Sequence, residues 1–307
     1  MRRFFWTKSN MKGADFTGKY GRLRAVKRLA PLFILLLAAC VHPQPGNHPL
    51  VGKIWDTRAG SFTAAEEVLA RAASARRVIL GEAHDNGEHH RLQLAVLQGL
   101  DERGGKRLLA MEQFDSEHQP AIDAAQANKA DAEALADAGK LDRKGWNWPL
   151  YRPLVQFAAE RGWPIVAANL SRAEARRVVA NPADSGLLPP PSTVKAALER
   201  DIVDGHCGAA PDPKRLAGMV EAQRARDARM ASVLKGRSVL IAGAGHARRD
   251  RGVPLYLADG EVLSVGFMEV QPGKRAPQDY FDGFASRGSF DYVWFTAREK
   301  RDDPCAS

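Results

Sequence analysis

The sequence predicts an α/β fold, in which a largely parallel β-sheet is flanked by helices. Two observations lead to this prediction. First, four short apolar runs, at 77–80, 106–112, 163–169 and 238–242, alternate with segments of helical periodicity. This alternation is typical of parallel strands joined by helical crossovers. Second, each apolar run ends in polar residues, and ligand sites in α/β proteins lie at the carboxyl ends of such strands.

Helices are expected between and after these strands. Apolar residues recur at helical spacing in 63–74, 89–103, 154–161, 194–204 and 213–234. Thr63 is a candidate N-cap, and Glu66 completes a capping box. Residues 261–270 and 291–296 alternate enough to be later strands, and their close spacing predicts an antiparallel edge. The Ala-, Asp- and Glu-rich segment 116–140, alone or with 194–234, is expected to form a helical cap over the carboxyl edge of the sheet.

The first 39 residues resemble an export signal. Four basic residues within 22–28 precede an apolar run, 29–39, that is too short to span a bilayer. Residues 37–40 (Leu-Ala-Ala-Cys) resemble a bacterial lipobox, which places a lipid on Cys40. The alternative is an ordinary cleaved signal with an unrelated cysteine. Val41 follows instead of aspartate, which by the sorting habit of Gram-negative lipoproteins predicts anchoring to the outer membrane, facing the periplasm.

These features divide the chain into four parts. Residues 1–39 are the predicted lipoprotein signal peptide, and 40–50, which contain Pro and Gly, are a predicted tether. Residues 51–270 are expected to form the α/β domain with its cap, and 271–307 a C-terminal extension. Two further cysteines, Cys207 and Cys305, are either joined in a disulfide that ties down the tail or left as free thiols.

The net charge of +9 belongs to the leader. Nine of the 45 basic residues and one of the 36 acidic residues lie within residues 1–39, which leaves 36 basic and 35 acidic residues in the mature chain. A mature chain with a net charge of +1 gives no reason to expect a polyanionic partner, so we predict that nucleic acid is not a ligand.

Polar residues at the ends of the four strands form the candidate site. They are Glu82 and His84, Glu112, Asn169, and His246. Because the carboxyl ends of parallel strands share one edge of a sheet, these side chains are expected to converge. His84, Glu112 and His246 are then candidate ligands of a divalent metal, and the same side chains could instead bind a large planar cofactor through its iron and carboxylates. The alternative is that both histidines only cap strand ends and bind neighbouring loops.

Two further segments are candidates for the walls of this site. Gln223 and Asp227 lie four residues apart on one predicted helix, so they would share a face that reaches the site, although a solvated face is the alternative. The aromatic segment with Trp146 and Tyr151 is either core or the wall of an apolar pocket. At the predicted start of the second helix, we expect at least one of His89 and His90 to be exposed.

The motifs together resemble those of the ChaN family, haem-binding lipoproteins linked to iron uptake, within a wider Tiki, TraB and erythromycin-esterase-like group. The resemblance rests on 81–84 (Gly-Glu-Ala-His), 85–90, 111–112, 146–151, 206–208, 222–231 and 243–254, and it covers most of residues 50–270.

This resemblance implies a haem pocket that forms between two subunits of a homodimer, with a tyrosine on the iron and basic or histidine side chains on the propionates. Tyr151 is the expected iron ligand, with Tyr256 as the reserve. The expected cofactor contacts are Glu82, His84, His90, Tyr151, His246 and Arg248. An outer-membrane haem receptor is an expected partner.

The wider group also implies a second interpretation. Its metal-dependent hydrolases use two Gly-x-x-His motifs and a glutamate, and this chain has His84, His246 and Glu112 at matching positions. On that interpretation the chain is an enzyme that cleaves a peptide or an ester, with Glu82 or Glu112 as general base. The resemblance favours the haem binder over the enzyme, without deciding between them.

Overall fold

The described part of the chain contains one eight-stranded sheet. The computed structural model describes residues 48–257, 262–280, 288–302 and 305. Its strands are β1 (Ile54–Asp56), β2 (Ser61–Thr63), β3 (Arg77–Glu82), β4 (Leu108–Asp115), β5 (Ile165–Asn169), β6 (Ser238–Gly243), β7 (Val262–Glu269) and β8 (Tyr292–Thr296). They lie in the order β2-β1-β8-β7-β3-β6-β4-β5. All pairings from β8 to β5 are parallel, which confirms the predicted fold class.

The antiparallel edge is not where the sequence pattern predicted it. β7 and β8 pair in parallel, although they are close in sequence. The edge is instead built by β1, which pairs antiparallel with both β2 and β8. The sequence prediction missed this hairpin because its two strands have only three residues each, too few to show an alternating pattern.

Helices cover both faces of the sheet. They are α1 (Ala65–Ser74), α2 (Gly87–Gly104), α3 (Gln119–Ala127), α4 (Ala132–Ala138), α5 (Trp148–Arg161), α6 (Arg172–Ala180), α7 (Ser192–Asp204), α8 (Pro213–Val233) and α9 (Ala244–Ala247). Successive strand residues point to opposite faces. Accordingly, Val78 and Leu80 pack with α1, α2 and α5, whereas Ile79 packs with the end of α8 and with α9. The sheet thus lies between two apolar layers.

The start of α2 positions two imidazoles inside the protein. Asn86 is the N-cap, and its side chain accepts from the backbone N–H groups of Glu88 and His89. Both His89 and His90 are buried, at 0% and 4% exposure, so the expectation that one of them is exposed is wrong. His89 bonds to the backbone N–H of Ala83 and to Thr296, which anchors this helix to strands β3 and β8.

Two details of the helix ends also differ from the prediction. Thr63 is the last residue of β2, so it cannot cap α1, which begins at Ala65 without a side-chain cap. The helix predicted at 154–161 begins earlier, at Trp148, so the aromatic segment from Trp148 onward forms the start of α5.

Gly81 allows the edge of the sheet to close tightly against α9. A Cβ atom at this position would lie 2.6 Å from the Cβ of Ala247 and 2.9 Å from the Cα of Ala244. Any side chain would therefore push α9 away from β3, and α9 carries His246. The close approach explains why glycine precedes Glu82 at the end of this strand.

The described residues after 271 belong to the same compact unit as the sheet. They contribute β8 and then a tail in which Arg301 pairs with Asp85 and Glu269, each through contacts of 2.7 Å. A disulfide joins Cys207, after α7, to Cys305 in the tail, with a Cα–Cα distance of 5.4 Å. Of the two alternatives for these cysteines, the structure has the bridge.

The leader with Cys40 and most of the predicted tether lie outside the described residues. At the end of the tether, Leu50 is buried in the core with 2% exposure. Among the helices that the structure describes, none is long and apolar enough to cross a membrane.

Breaking the disulfide should destabilise the fold. The bridge closes a loop with a sequence separation of 98 residues, and a bridge of this kind is typically worth about 2–4 kcal/mol. We expect urea unfolding in the presence of a reductant to show a loss of this size, and the double variant Cys207→Ser/Cys305→Ser to be insensitive to reductant. Uptake of two equivalents of a thiol reagent by the native, unreduced Cys40→Ser protein would contradict the bridge.

Candidate functional site

A buried carboxylate at the end of β3 organises the first part of the site. Glu82 is 2% exposed, and its two oxygens are surrounded by donors. The Tyr151 hydroxyl donates to Oε1 at 2.5 Å, and Nε2 of Gln93 donates to Oε2 at 2.7 Å. Nδ1 of His84 forms a hydrogen bond with the same carboxylate at 3.0 Å, and Nδ1 of His90 lies 3.2 Å from it without forming one. A buried carboxylate requires such partners, because without them its charge would be strongly destabilised.

Tyr151 is held as a neutral phenol by this environment. Its side chain is completely buried. Burial, followed by the charge of Glu82 and the hydrogen bond to it, raises the pKa of Tyr151 far above its ordinary value. Iron ligation by tyrosine requires a phenolate that can reach the metal. The geometry therefore argues against the expectation that Tyr151 binds the haem iron.

A second buried cluster lies around His246 on α9. Nδ1 of His246 is 2.6 Å from Asp227 Oδ1, and Nε2 is 3.4 Å from Glu112 Oε1. The side-chain amide of Gln223 lies 3.2 Å from Nε2. Gln223 and Asp227 are on the same face of α8, so our prediction that this face reaches the site is confirmed.

The charges of this cluster stabilise one another. Burial lowers the pKa of His246, but the charges of Glu112 and Asp227 outweigh burial and raise it to about 10. For Glu112, burial raises the pKa, but His246, His84 and the backbone N–H of Gly243 together lower it to about 2. Burial raises the pKa of Asp227 to about 6, although the charge of His246 opposes that rise. At neutral pH the cluster is therefore an imidazolium between two carboxylates, with both ring nitrogens directed at them.

The two clusters meet beneath a polar cleft of about 610 Å³ at the carboxyl edge of the sheet. Gly243 lies between them. Its N–H donates to Glu112 at 2.7 Å, and a Cβ atom at its position would lie 3.0 Å from Cε1 of His84. His84 is 46% exposed and contacts Trp146 edge to face, with ring centroids 4.9 Å apart. We call this space the central cleft; its walls include His84, Gln113, Lys140, Trp146, Asn169 and Arg226.

The central cleft confirms that the strand ends converge. His84, Glu112, Asn169 and His246 all lie at it or directly beneath it, although they are far apart in sequence. The sequence did not, in contrast, predict that His90 is buried. His90 is buried against Glu82 and donates Nε2–H to the backbone carbonyl of His84 at 3.0 Å, so it does not face the cleft.

Arg248, a predicted cofactor contact, is not exposed to a ligand in this structure. Its side chain is fully buried, and its guanidinium binds both oxygens of Asp250 at 2.9 and 2.7 Å and the hydroxyl of Ser289. Arg248 is thus structural, because it ties the segment after α9 to Ser289, and its guanidinium lies over the ring of Phe290.

The expected metal ligands are neighbours, but their donor atoms are not arranged as a metal site. His246 uses both ring nitrogens for carboxylates, and His84 uses Nδ1 for Glu82. Among the residues that the structure describes, no group of three or more His, Cys, Asp or Glu side chains is placed to hold a metal ion.

Tyr256, the reserve iron ligand, lies against α8 beside Arg224 and does not line the central cleft. It is half-buried in a 3₁₀ turn (Val253–Tyr256) next to Leu255, which is 49% exposed. Burial raises the pKa of Tyr256 above its ordinary value, and the guanidinium of Arg224 only partly offsets that rise. Arg224 also donates to the carbonyl of Leu188, whose side chain is 84% exposed. We call the surface made by Leu188, Leu255 and Tyr256 the tyrosine face.

No sequence pattern pointed to this surface beyond the tyrosine itself. Leu188 lies in a proline-rich segment without periodicity, and exposed leucines cannot be distinguished from buried ones in a short turn. Arg224 belongs to a charged run for which a solvated face was an equal alternative. Its burial, at 6% exposure, follows only from tertiary packing.

Comparison with known proteins places the chain in a family. The family model described as "Haem-binding uptake, Tiki superfamily, ChaN" matches residues 68–257, which is more than half of the chain. The fold and the strand-end motifs thus define an α/β protein of the Tiki superfamily, and the chain belongs to the ChaN family of haem-binding uptake proteins. No curated protein sequence matches it.

Among solved structures, one described as cofacial heme binding to ChaN of Campylobacter jejuni has a TM-score of 0.66 and 26% identity. The alignment covers 78% of this chain and 95% of that chain. The type III effector HopBA1 (17% identity, TM-score 0.43, 76% and 92% coverage) and a mutant of the erythromycin esterase EreC in its open conformation (12%, 0.43, 84% and 99%) are too distant to bear on function.

The His246 cluster should make stability depend on alkaline pH. The folded-state pKa of His246, about 10, is above the ordinary value of 6.5. Its contribution to stability is therefore fully present below about pH 6.5 and is lost as pH rises towards 10. We expect the free energy of unfolding, measured with urea, to fall over this range, and to fall less in Asp227→Asn. Equal slopes in the two proteins would contradict a protonated His246.

Proposed function

We propose that the chain binds haem at the tyrosine face, with Tyr256 as the iron ligand, and that it takes part in haem or iron uptake. The family match over residues 68–257 carries the proposal. The tyrosine face offers haem a partly exposed tyrosine beside exposed apolar side chains.

Two features favour Tyr256 over Tyr151 as the ligand. Tyr256 is half-exposed, whereas Tyr151 has no exposed surface. In addition, although burial raises the pKa of Tyr256, the neighbouring Arg224 guanidinium partly offsets that rise, whereas the Glu82 carboxylate beside Tyr151 adds to the rise that burial causes there.

A homodimer is part of this proposal. The tyrosine face covers only one side of a haem, and the apolar faces of the porphyrin are costly to leave in water. The Campylobacter jejuni ChaN structure is described by its cofacial heme binding, and cofacial denotes a face-to-face arrangement. We infer that two copies of this chain meet with their tyrosine faces opposed, so that each haem covers the other.

We further propose that a lipid on Cys40 anchors the chain to the outer membrane, facing the periplasm, where a haem receptor would be its partner. The disulfide between Cys207 and Cys305 supports an oxidising compartment. The hydrolase that the sequence left open has weaker support, because the described residues form no three-ligand metal site.

Haem titration of matched tyrosine variants tests the ligand. In the Cys40→Ser protein, we expect a saturable Soret shift that Tyr256→Phe weakens by about 10–100-fold or more, since even outer-shell partners are worth this much in metal affinity. Tyr151→Phe should bind haem as wild type does, while losing about 1.5–3 kcal/mol of stability with its hydrogen bond to Glu82.

The opposite result would overturn the assignment. If Tyr151→Phe abolishes the shift and Tyr256→Phe leaves it unchanged, the iron lies at the Glu82 cluster. If the wild-type protein shows no saturable shift, haem binding itself is wrong for this chain.

A further inference from the structure

The central cleft is separate from the tyrosine face. Arg224 borders the tyrosine face and Arg226 lines the cleft. Residues two positions apart on a helix point roughly 200° away from each other, so α8 stands between the two surfaces. A haem on the tyrosine face would not occupy the central cleft, so the cleft is free to bind a different ligand.

Two cations in the wall of the cleft have no hydrogen-bonded partner of opposite charge, although the charge of Arg226 acts on the nearby carboxylates of Asp115 and Asp227. Lys140, after α4, and Arg226, on α8, form no side-chain hydrogen bond or ion pair with the described residues. The third cation, Arg172, is already paired with Asp142 at 2.6 Å. Asp115 is the other acidic residue in the wall. The lining therefore has three cations against two carboxylates, a net charge of +1. Lys140 and Arg226 supply their charges from two different elements.

Two buried amides complete the wall. Gln113 is 3% exposed and Asn169 is 7% exposed, and both line the cleft. Nε2 of Gln113 is directed at Glu82 Oε1, at 3.5 Å, so its Oε1 is left as an acceptor. Neither Gln113 Oε1 nor Asn169 Oδ1 accepts a hydrogen bond from the described residues. Buried acceptors without donors are costly, and a ligand that supplies O–H groups removes that cost.

An aromatic side chain lines the same space. Trp146 stands beside the exposed imidazole of His84 and is itself half-buried. An indole ring can cover the apolar C–H face of a sugar while the surrounding polar groups bind its hydroxyls. The cleft, at about 610 Å³, has the volume of a small-molecule site, and its polar walls do not suit a porphyrin.

We propose that the central cleft binds a small hydroxylated oxyanion, a sugar acid or a sugar phosphate, independently of haem. Lys140 and Arg226 bind the anionic group, Gln113 and Asn169 accept from hydroxyls, and Trp146 covers the ring. This goes beyond haem binding, and neither site requires the other.

Calorimetric titration of the haem-free Cys40→Ser protein tests the proposal, with glucuronate, glucose 6-phosphate and glucose as probes. We expect at least one anionic probe to bind more tightly than about 1 mM, and glucose to bind at least about tenfold more weakly. Binding of glucuronate alone or of glucose 6-phosphate alone identifies the carboxylate or the phosphate as the anionic group.

Matched variants locate the binding. Lys140→Gln and Arg226→Gln should each weaken the anionic probe by about tenfold or more. Lys129→Gln is the control for Lys140, because both lysines are exposed and have left-handed backbones, with φ of 54° and 45°. Arg229→Gln is the control for Arg226 on the same helix. Tyr256→Phe should not change binding, whatever it does to haem.

Three results would overturn the proposal. They are no binding of either anionic probe at 10 mM (roughly the upper limit for a specific small-molecule site), equal binding of glucose, or unchanged binding in both cleft variants. Each of these results is independent of the haem titration, so the proposal for the cleft and the proposal for haem are tested separately.

Discussion

The ion cluster around Glu82 is the interaction on which the rest of the site depends. A carboxylate that is 2% exposed at the end of a central strand is stable only with several donors, and they come from α2, α5 and the turn after β3. These contacts fix the direction in which α5 and its aromatic residues enter the edge of the sheet. Removing any one donor would leave a buried charge less well compensated, so the cluster couples three elements.

The His246 cluster performs the same task on the other side of Gly243. The imidazolium of His246 on α9 lies between Glu112 on β4 and Asp227 on α8, so it joins these three elements. Its single positive charge offsets one of the two buried negative charges. The residues of these two clusters lie within the range that matches the ChaN family model. They build the edge of the sheet, while the exposed surfaces on either side of α8 remain available for ligands.

The sequence predicted which residues of the site lie near one another, but it did not predict which of them are buried. The convergence of His84, Glu112 and His246 follows from parallel topology, because strand ends at one edge must be neighbours. The i, i+4 spacing of Gln223 and Asp227 likewise sufficed to place them together. Burial could not be predicted, since side chains such as Tyr151 and Arg248 have the same sequence signature whether they face a ligand or a carboxylate. The β1–β2 hairpin was too short to be seen.

Hydrogen exchange with and without haem tests the central claim most directly, because it locates the ligand without altering any residue. If the buried clusters are structural and haem lies on the tyrosine face, bound haem should slow exchange in peptides around 186–190 and 253–257. Exchange around 82–90 and 140–151 should stay unchanged. Protection confined to the second pair of segments would contradict the account, because it would place haem in the central cleft.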